Sequence, residues 1–149
     1  MRRVSLAVAV LFMAACGPFC GSTSTGGPAQ HLVFTGPAAG TLTGAASICT
    51  RYPGQQQATF HFDGTLGGKT LGINIEINGY KGPGTYPVGS LLDGAGEVRL
   101  QVGTFDAASA TGAGTVTIDS DGRSGSLTVT LSGDEHVEGT FNCAEVRTG

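Results

Sequence analysis

Apolar and polar residues alternate with a period of two through much of the chain after residue 30. The cleanest case sets Leu71, Ile73, Ile75 and Ile77 against Gly72, Asn74, Glu76 and Asn78. A period of two sends successive side chains to opposite faces of a β-strand, one buried and one wet. Ala58, Phe60 and Phe62 alternate in the same way with Thr59, His61 and Asp63, and Val98, Leu100 and Val102 alternate with Glu97, Arg99 and Gln101. Shorter strands are predicted at His31–Phe34 and Ala46–Tyr52. Val116 and Ile118 lead into Asp119-Ser-Asp-Gly-Arg123, and Leu127, Val129 and Leu131 lead out. That spacing predicts a β-hairpin whose tight turn draws its positive φ angles from Asp121-Gly122. Val137, Gly139, Phe141 and Cys143 form the last predicted strand.

About seven to eight half-buried strands cannot leave their apolar stripes on one bare face. Two antiparallel sheets packed face to face, or one sheet closed into a barrel, would bury them all. The pattern therefore predicts an all-β fold over residues 31–149, a two-sheet β-sandwich with a closed β-barrel as the alternative. Composition agrees. Glycine occurs 26 times, between short runs of Val, Ile and Thr, as turns between short strands require. No helical period of useful length appears, and no internal repeat suggests a propeller or solenoid.

The first residues follow a different rule. Arg2 and Arg3 precede the uncharged apolar run Leu6–Ala15, which ends in small residues before Cys16. A ten-residue apolar run suits an export signal and is too short to span a bilayer of ~30 Å as a helix. Met13-Ala14-Ala15-Cys16 resembles the bacterial lipobox, with Met13 in the place usually taken by leucine. That resemblance implies a diacylglycerol on the Cys16 thiol and cleavage that leaves Cys16 as the mature N-terminus. It gives three segments: a signal peptide over 1–15, a lipidated tether over 16–30 and the β-domain over 31–149. The tether, GPFCGSTSTGGPAQ after Cys16, is mostly Gly, Ser, Thr and Pro. As a flexible coil it spans ~20 Å, enough to lift a domain clear of lipid head groups. The expected location is the extracytoplasmic side of a bacterial cell envelope, with the membrane as partner through the lipid.

Export bears on the cysteines. An exported location is oxidising, so Cys49 and Cys143, each inside a predicted strand, are expected to form a disulfide between the early and final strands. Cys20 lies in the tether without an assigned role. No CxxC pair is present, which argues against a cysteine metal site.

Charge excludes one class of partner. Without Arg2 and Arg3 the chain has six basic residues against eleven acidic ones, a balance of −5, and no basic patch to meet a nucleic-acid backbone. Catalytic signals are weak, and no catalytic residue, cofactor or metal is assigned. Asp119-x-Asp121-Gly122 resembles part of a calcium loop, but the first and twelfth positions would fall on Thr117 and Thr128, which cannot supply the required carboxylates. His31, His61 and His136 are scattered singly. Ser124-Gly125-Ser126 fits hairpin polarity, and Asp134-Glu135 fits a solvated corner. Tyr80 and Tyr86 flank Lys81-Gly-Pro-Gly-Thr85, a turn-rich loop after the best strand. Tyr80, Lys81 and Tyr86 make a small candidate binding surface, although packing the loop over the end of the fold also accounts for the tyrosines.

The segment from Gly79 to Tyr86, with Ser124-Gly125-Ser126-Leu127 and Gly139-Thr140-Phe141-x-Cys143, resembles a group of small bacterial lipoproteins and exported proteins of unassigned function. The resemblance implies a signal, a low-complexity tether and a Gly-rich β-domain ending near a cysteine, and no activity. The expected function is a lipid-anchored binding or structural module that meets an envelope protein or a small ligand. The alternatives are an exported hydrolase whose site assembles only in the fold, and a carrier of an apolar ligand.

Overall fold

The computed structural model describes residues 30–149 apart from 45 and 90–95. Cys16, Cys20, the expected export signal and nearly all of the expected tether lie outside the described residues. Eleven strands are present: β1 (His31–Thr35), β2 (Gly40–Thr43), β3 (Ala46–Tyr52), β4 (Gln57–Leu66), β5 (Lys69–Asn78), β6 (Gly84–Val88), β7 (Gly96–Val102), β8 (Phe105–Ile118), β9 (Ser124–Leu131), β10 (Glu135–Asn142) and β11 (Glu145–Thr148). The fold is all-β, as the alternation predicts. Among the described residues no helix is long and apolar enough to cross a membrane.

All eleven strands join one sheet in the order β11-β3-β4-β5-β7-β6-β8-β9-β10-β1-β2, with β7 also pairing to β8. Pairing is antiparallel except for β11 on β3 and the single β6–β7 pair. One half, β3-β4-β5-β7, faces the other, β8-β9-β10-β1, and their inward side chains form one core. Phe141 of β10 lies 5.5 Å, ring to ring, from both Phe60 and Phe62 of β4. The layers of a sandwich are thus present within a single continuous sheet, which is how a barrel encloses its interior.

Strand β8 turns the corner between the halves. Its first residues pair with β7 through Val102↔Phe105 to Arg99↔Ala108, and its last pair with β6 and β9. A register shift between Ser109 and Gly114 marks the bend, the usual device for redirecting a strand. Gly114 has φ +151°, and a Cβ there would lie 2.0 Å from the Thr128 carbonyl oxygen. Only glycine fits that crossing.

The disulfide Cys49–Cys143 joins β3 to the residue after β10, with Cα atoms 5.7 Å apart, inside the range a disulfide accepts. Both cysteines are buried. Beside them Ser47 Oγ donates to the Asn142 carbonyl at 2.7 Å and accepts from Gln30 Nε2 at 2.7 Å and Ala144 N–H at 2.8 Å. Gln30, just before β1, thus sits on the seam where the two halves are tied together.

The β8–β9 hairpin forms, with a different turn from the expected one. Asp119 N–H donates to the Ser124 carbonyl, and Gly122 N–H donates to the Asp119 carbonyl. Gly122 alone carries a positive φ, +65°. Asp121 acts through its side chain, whose Oδ1 accepts from the N–H groups of Arg123 and Ser124 at 2.8 and 2.9 Å. Those bonds favour the carboxylate and hold its pKa below 3.8, the Ser124 contact contributing most. A pKa lowered by folding means that the stabilisation is complete above the ordinary value and is lost as pH falls through the lowered one. In a side-chain carbon titration by NMR, Asp121 should have its midpoint below 3.8; a midpoint at or above that value would contradict the turn described.

Candidate functional site

The two outer faces of the sheet differ. On β9, β10, β1 and β2 most outward residues, Thr128, Thr140, Thr35 and Thr41 among them, are exposed, while Val33, Ser124, His136 and Asn142 are half-exposed. On β4 and β5 the outward residues Gln57, Thr59, His61, Asn74, Glu76 and Asn78 are half-exposed and Glu97 of β7 is 8% exposed, with the exposed Asp63, Arg99 and Gln101 standing around them. The outer face of β4-β5-β7 is recessed and polar.

Register assembles it. Thr59, Glu76 and Glu97 fall in one row across the three strands, His61, Asn74 and Arg99 in the next, and Asp63, Gly72 and Gln101 in the third. Asp106 of β8 extends the third row beside Gln101. Two cavities share Asn74 and Arg99. One, of about 270 Å³, is completed by Glu76 and Glu97. The other, of about 250 Å³, is lined also by His61, Gly72, Gln101 and Asp106. Both lie on the outer face, and the second also reaches Ile73 and Leu100 between its polar residues. A Cβ on Gly72 would meet only Asp63 Oδ1, at 3.8 Å, so this glycine widens the floor without being demanded by packing.

The side chains are held in place. Arg99 Nε donates to Glu97 Oε1 at 2.7 Å, and that bond, with the charge behind it, pushes the guanidinium pKa further up. Gln57 Nε2 donates to Glu76 Oε1 at 2.6 Å and to Asn78 Oδ1 at 3.3 Å. His61 Nε2 lies 3.0 Å from Asp63 Oδ1. Amide, guanidinium, imidazole and carboxylate groups therefore line a shallow recess, an arrangement suited to hydrogen-bonding and ion-pairing a polar ligand. No serine, threonine or cysteine is among the residues lining either cavity, so a nucleophile-and-base pair of that kind has no nucleophile there.

The expected binding surface at the end of β5 is brought together. Its two tyrosines are occupied with each other and with the loop backbone, and Lys81 is exposed. The rings of Tyr80 and Tyr86 stack 5.7 Å apart at 28° and pack against the core. Tyr86 Oη donates to the Gly82 carbonyl at 2.5 Å and accepts from Lys81 N–H at 3.1 Å. Tyr80 N–H donates to the Gln56 carbonyl at 2.6 Å. Burial raises the Tyr80 hydroxyl pKa above 10.0, opposed by the Arg51 charge and reinforced by Tyr86. The two tyrosines clasp the loop.

Glu135 corrects the expectation of a solvated corner at Asp134-Glu135. Asp134 is exposed, but Glu135 is fully buried, with Oε2 accepting from Ala38 N–H at 2.8 Å and Oε1 without a partner among the described residues. It pins the β1–β2 connection to the start of β10. The histidines stay apart: His61 is in the recess, His136 contacts Thr130 and Glu138 on β9 and β10, and His31 stands on β1. Among the described residues no group of three or more His, Cys, Asp or Glu is placed to hold a metal ion.

Sequence alone marks Asn74, Glu76, Glu97 and Arg99 as the wet positions of two strands. That they adjoin follows only from the register of β5 on β7. The chain matches no known family model, no curated protein and no solved structure.

Proposed function

We propose that this chain is a lipid-anchored binding module of the bacterial cell envelope, facing the extracytoplasmic side, with the recessed face of β4-β5-β7 as its binding surface. The observation that carries the binding role is the contrast between the two outer faces. A purely structural sheet has no need for a recess lined by seven polar side chains on four strands. Concave surfaces with converging polar groups are where small ligands and partner side chains dock.

The anchor is supported by Arg2, Arg3, the Leu6–Ala15 run and the lipobox-like Met13–Cys16. The resemblance to small bacterial lipoproteins of unassigned function supports the same location. Two acyl chains on one cysteine hold a protein at a membrane where a single chain does so only reversibly, since each buried CH₂ contributes ~0.8 kcal/mol. The tether then gives the domain freedom to meet a partner in the envelope. Metabolic labelling with a fatty-acid analogue tests the anchor. The chain should take up label and sediment with membranes, and Cys16→Ser should abolish both. Labelling and sedimentation unchanged in Cys16→Ser would contradict it.

A further inference from the structure

We infer that the recessed face takes a cationic partner, a lysine- or arginine-bearing segment of another polypeptide. This rests on the proposal that the face is a binding surface and adds the chemistry of what it binds.

Charge is the first argument. Asp63, Glu76, Glu97 and Asp106 gather on this face against the single cation Arg99. On the outer face of β9, β10, β1 and β2 the outward residues are mostly Thr and Ser, with Glu138 the one carboxylate. The chain's acidity is thus distributed unevenly, and a positive partner is steered to one side.

The second argument is local. Glu76 and Glu97 stand directly opposite each other on antiparallel β5 and β7. Like charges so placed weaken a strand pair. The side chain of Glu97 is also nine-tenths buried while lining the cavity, and a buried carboxylate is costly unless compensated. Each glutamate has one oxygen engaged, Glu76 by Gln57 and Glu97 by Arg99. The second oxygen of each has no hydrogen-bond partner among the described residues. Arg99 offsets part of this repulsion through its bond to Glu97 and its charge near Glu76. One cation against four carboxylates leaves the face negative, so an ammonium or guanidinium group between the two glutamates would offset more of it.

The third argument is donor count. An ammonium has three donors and no acceptor, which suits a cavity lined by two carboxylates and the Asn74 amide. A neutral ligand would leave the Glu76–Glu97 repulsion in place, and an anionic one would add to it. A divalent cation needs six or more oxygens, and the described residues hold no metal-binding group of three.

The test uses the full chain in neutral detergent with hexalysine as the probe, followed by calorimetry. Hexalysine should bind at about 20 mM salt and weaken several-fold at about 200 mM, where screening shortens the reach of the charges. Glu76→Gln, which keeps the shape and removes the charge, should weaken binding about fivefold or more, while Glu138→Gln on the other face should change it less than about twofold. Equal losses in the two variants, or no binding of hexalysine, would overturn the inference. If a partner docks at Asn74 in intact envelopes and hexalysine fails to bind, the cationic class is wrong and the binding-face proposal stands. If nothing docks at Asn74, that proposal itself fails.

Discussion

Replacing Cys49 and Cys143 together by alanine should lower the unfolding free energy by ~4–5 kcal/mol. The two cysteines are 94 residues apart, and closing a loop of that length removes about that much chain entropy from the unfolded state. The loss is comparable to the lower end of a whole domain's stability. β3 and β10 belong to opposite halves and share no ladder of their own. Among the described residues the one strand pairing across this seam is the short β11 on β3, where Val146 sits opposite Cys49. The two strands are thus tied by the disulfide, by Ser47 and by β11, which follows β10. Urea unfolding of the wild type and the double variant reads the difference. A shift below ~1 kcal/mol would mean that the seam is held without the bond.

The second large effect is expected at Phe141. Its ring meets Phe60 and Phe62, both at 5.5 Å and both tilted by about 60°. All three are at most 1% exposed, so truncation leaves a cavity that the two sheet halves cannot collapse to fill. Phe141→Ala should destabilise by ~3–5 kcal/mol. A double-mutant cycle with Phe60→Ala should recover a coupling of ~0.5–1.5 kcal/mol, the part that belongs to the ring pair itself. Additive losses would show that Phe141 acts only through its bulk.

The strands legible in the sequence are those whose apolar side chains alternate. β5 was predicted from Leu71–Ile77, and the buried face of the strand carries those residues. β6 was not predicted, because Val88 is its only fully buried side chain and Pro87 interrupts the pattern. The first half of β8 escaped for a related reason: Ala107 and Ser109 point inward, and small or polar inward residues leave no hydropathy signal. β2 and β11 are four-residue strands at the two ends of the sheet, where few apolar positions are needed. The disulfide pair was legible because Cys49 and Cys143 each fall in a predicted strand and the expected exported location is oxidising.

The candidate site was less legible. Its residues are ordinary wet positions, and alternation says nothing about which strand lies beside which. β5 and β7 are neighbours although β6 comes between them in the chain. Glu76 and Glu97 face each other only through that arrangement. Glu135 was misplaced on local grounds, since Gly133-Asp134 does form a tight turn, but the next residue already belongs to β10 and turns inward to meet Ala38.

The central claim, an anchored module that meets its partner through the recessed face, is tested most directly in intact cells. A photo-crosslinking residue is placed at Asn74 in one chain and at Thr128, on the opposite face, in another. The account predicts a defined adduct from position 74, little or none from 128, and loss of the adduct when Cys16→Ser is added. No adduct from position 74, or equal adducts from both faces, would contradict it.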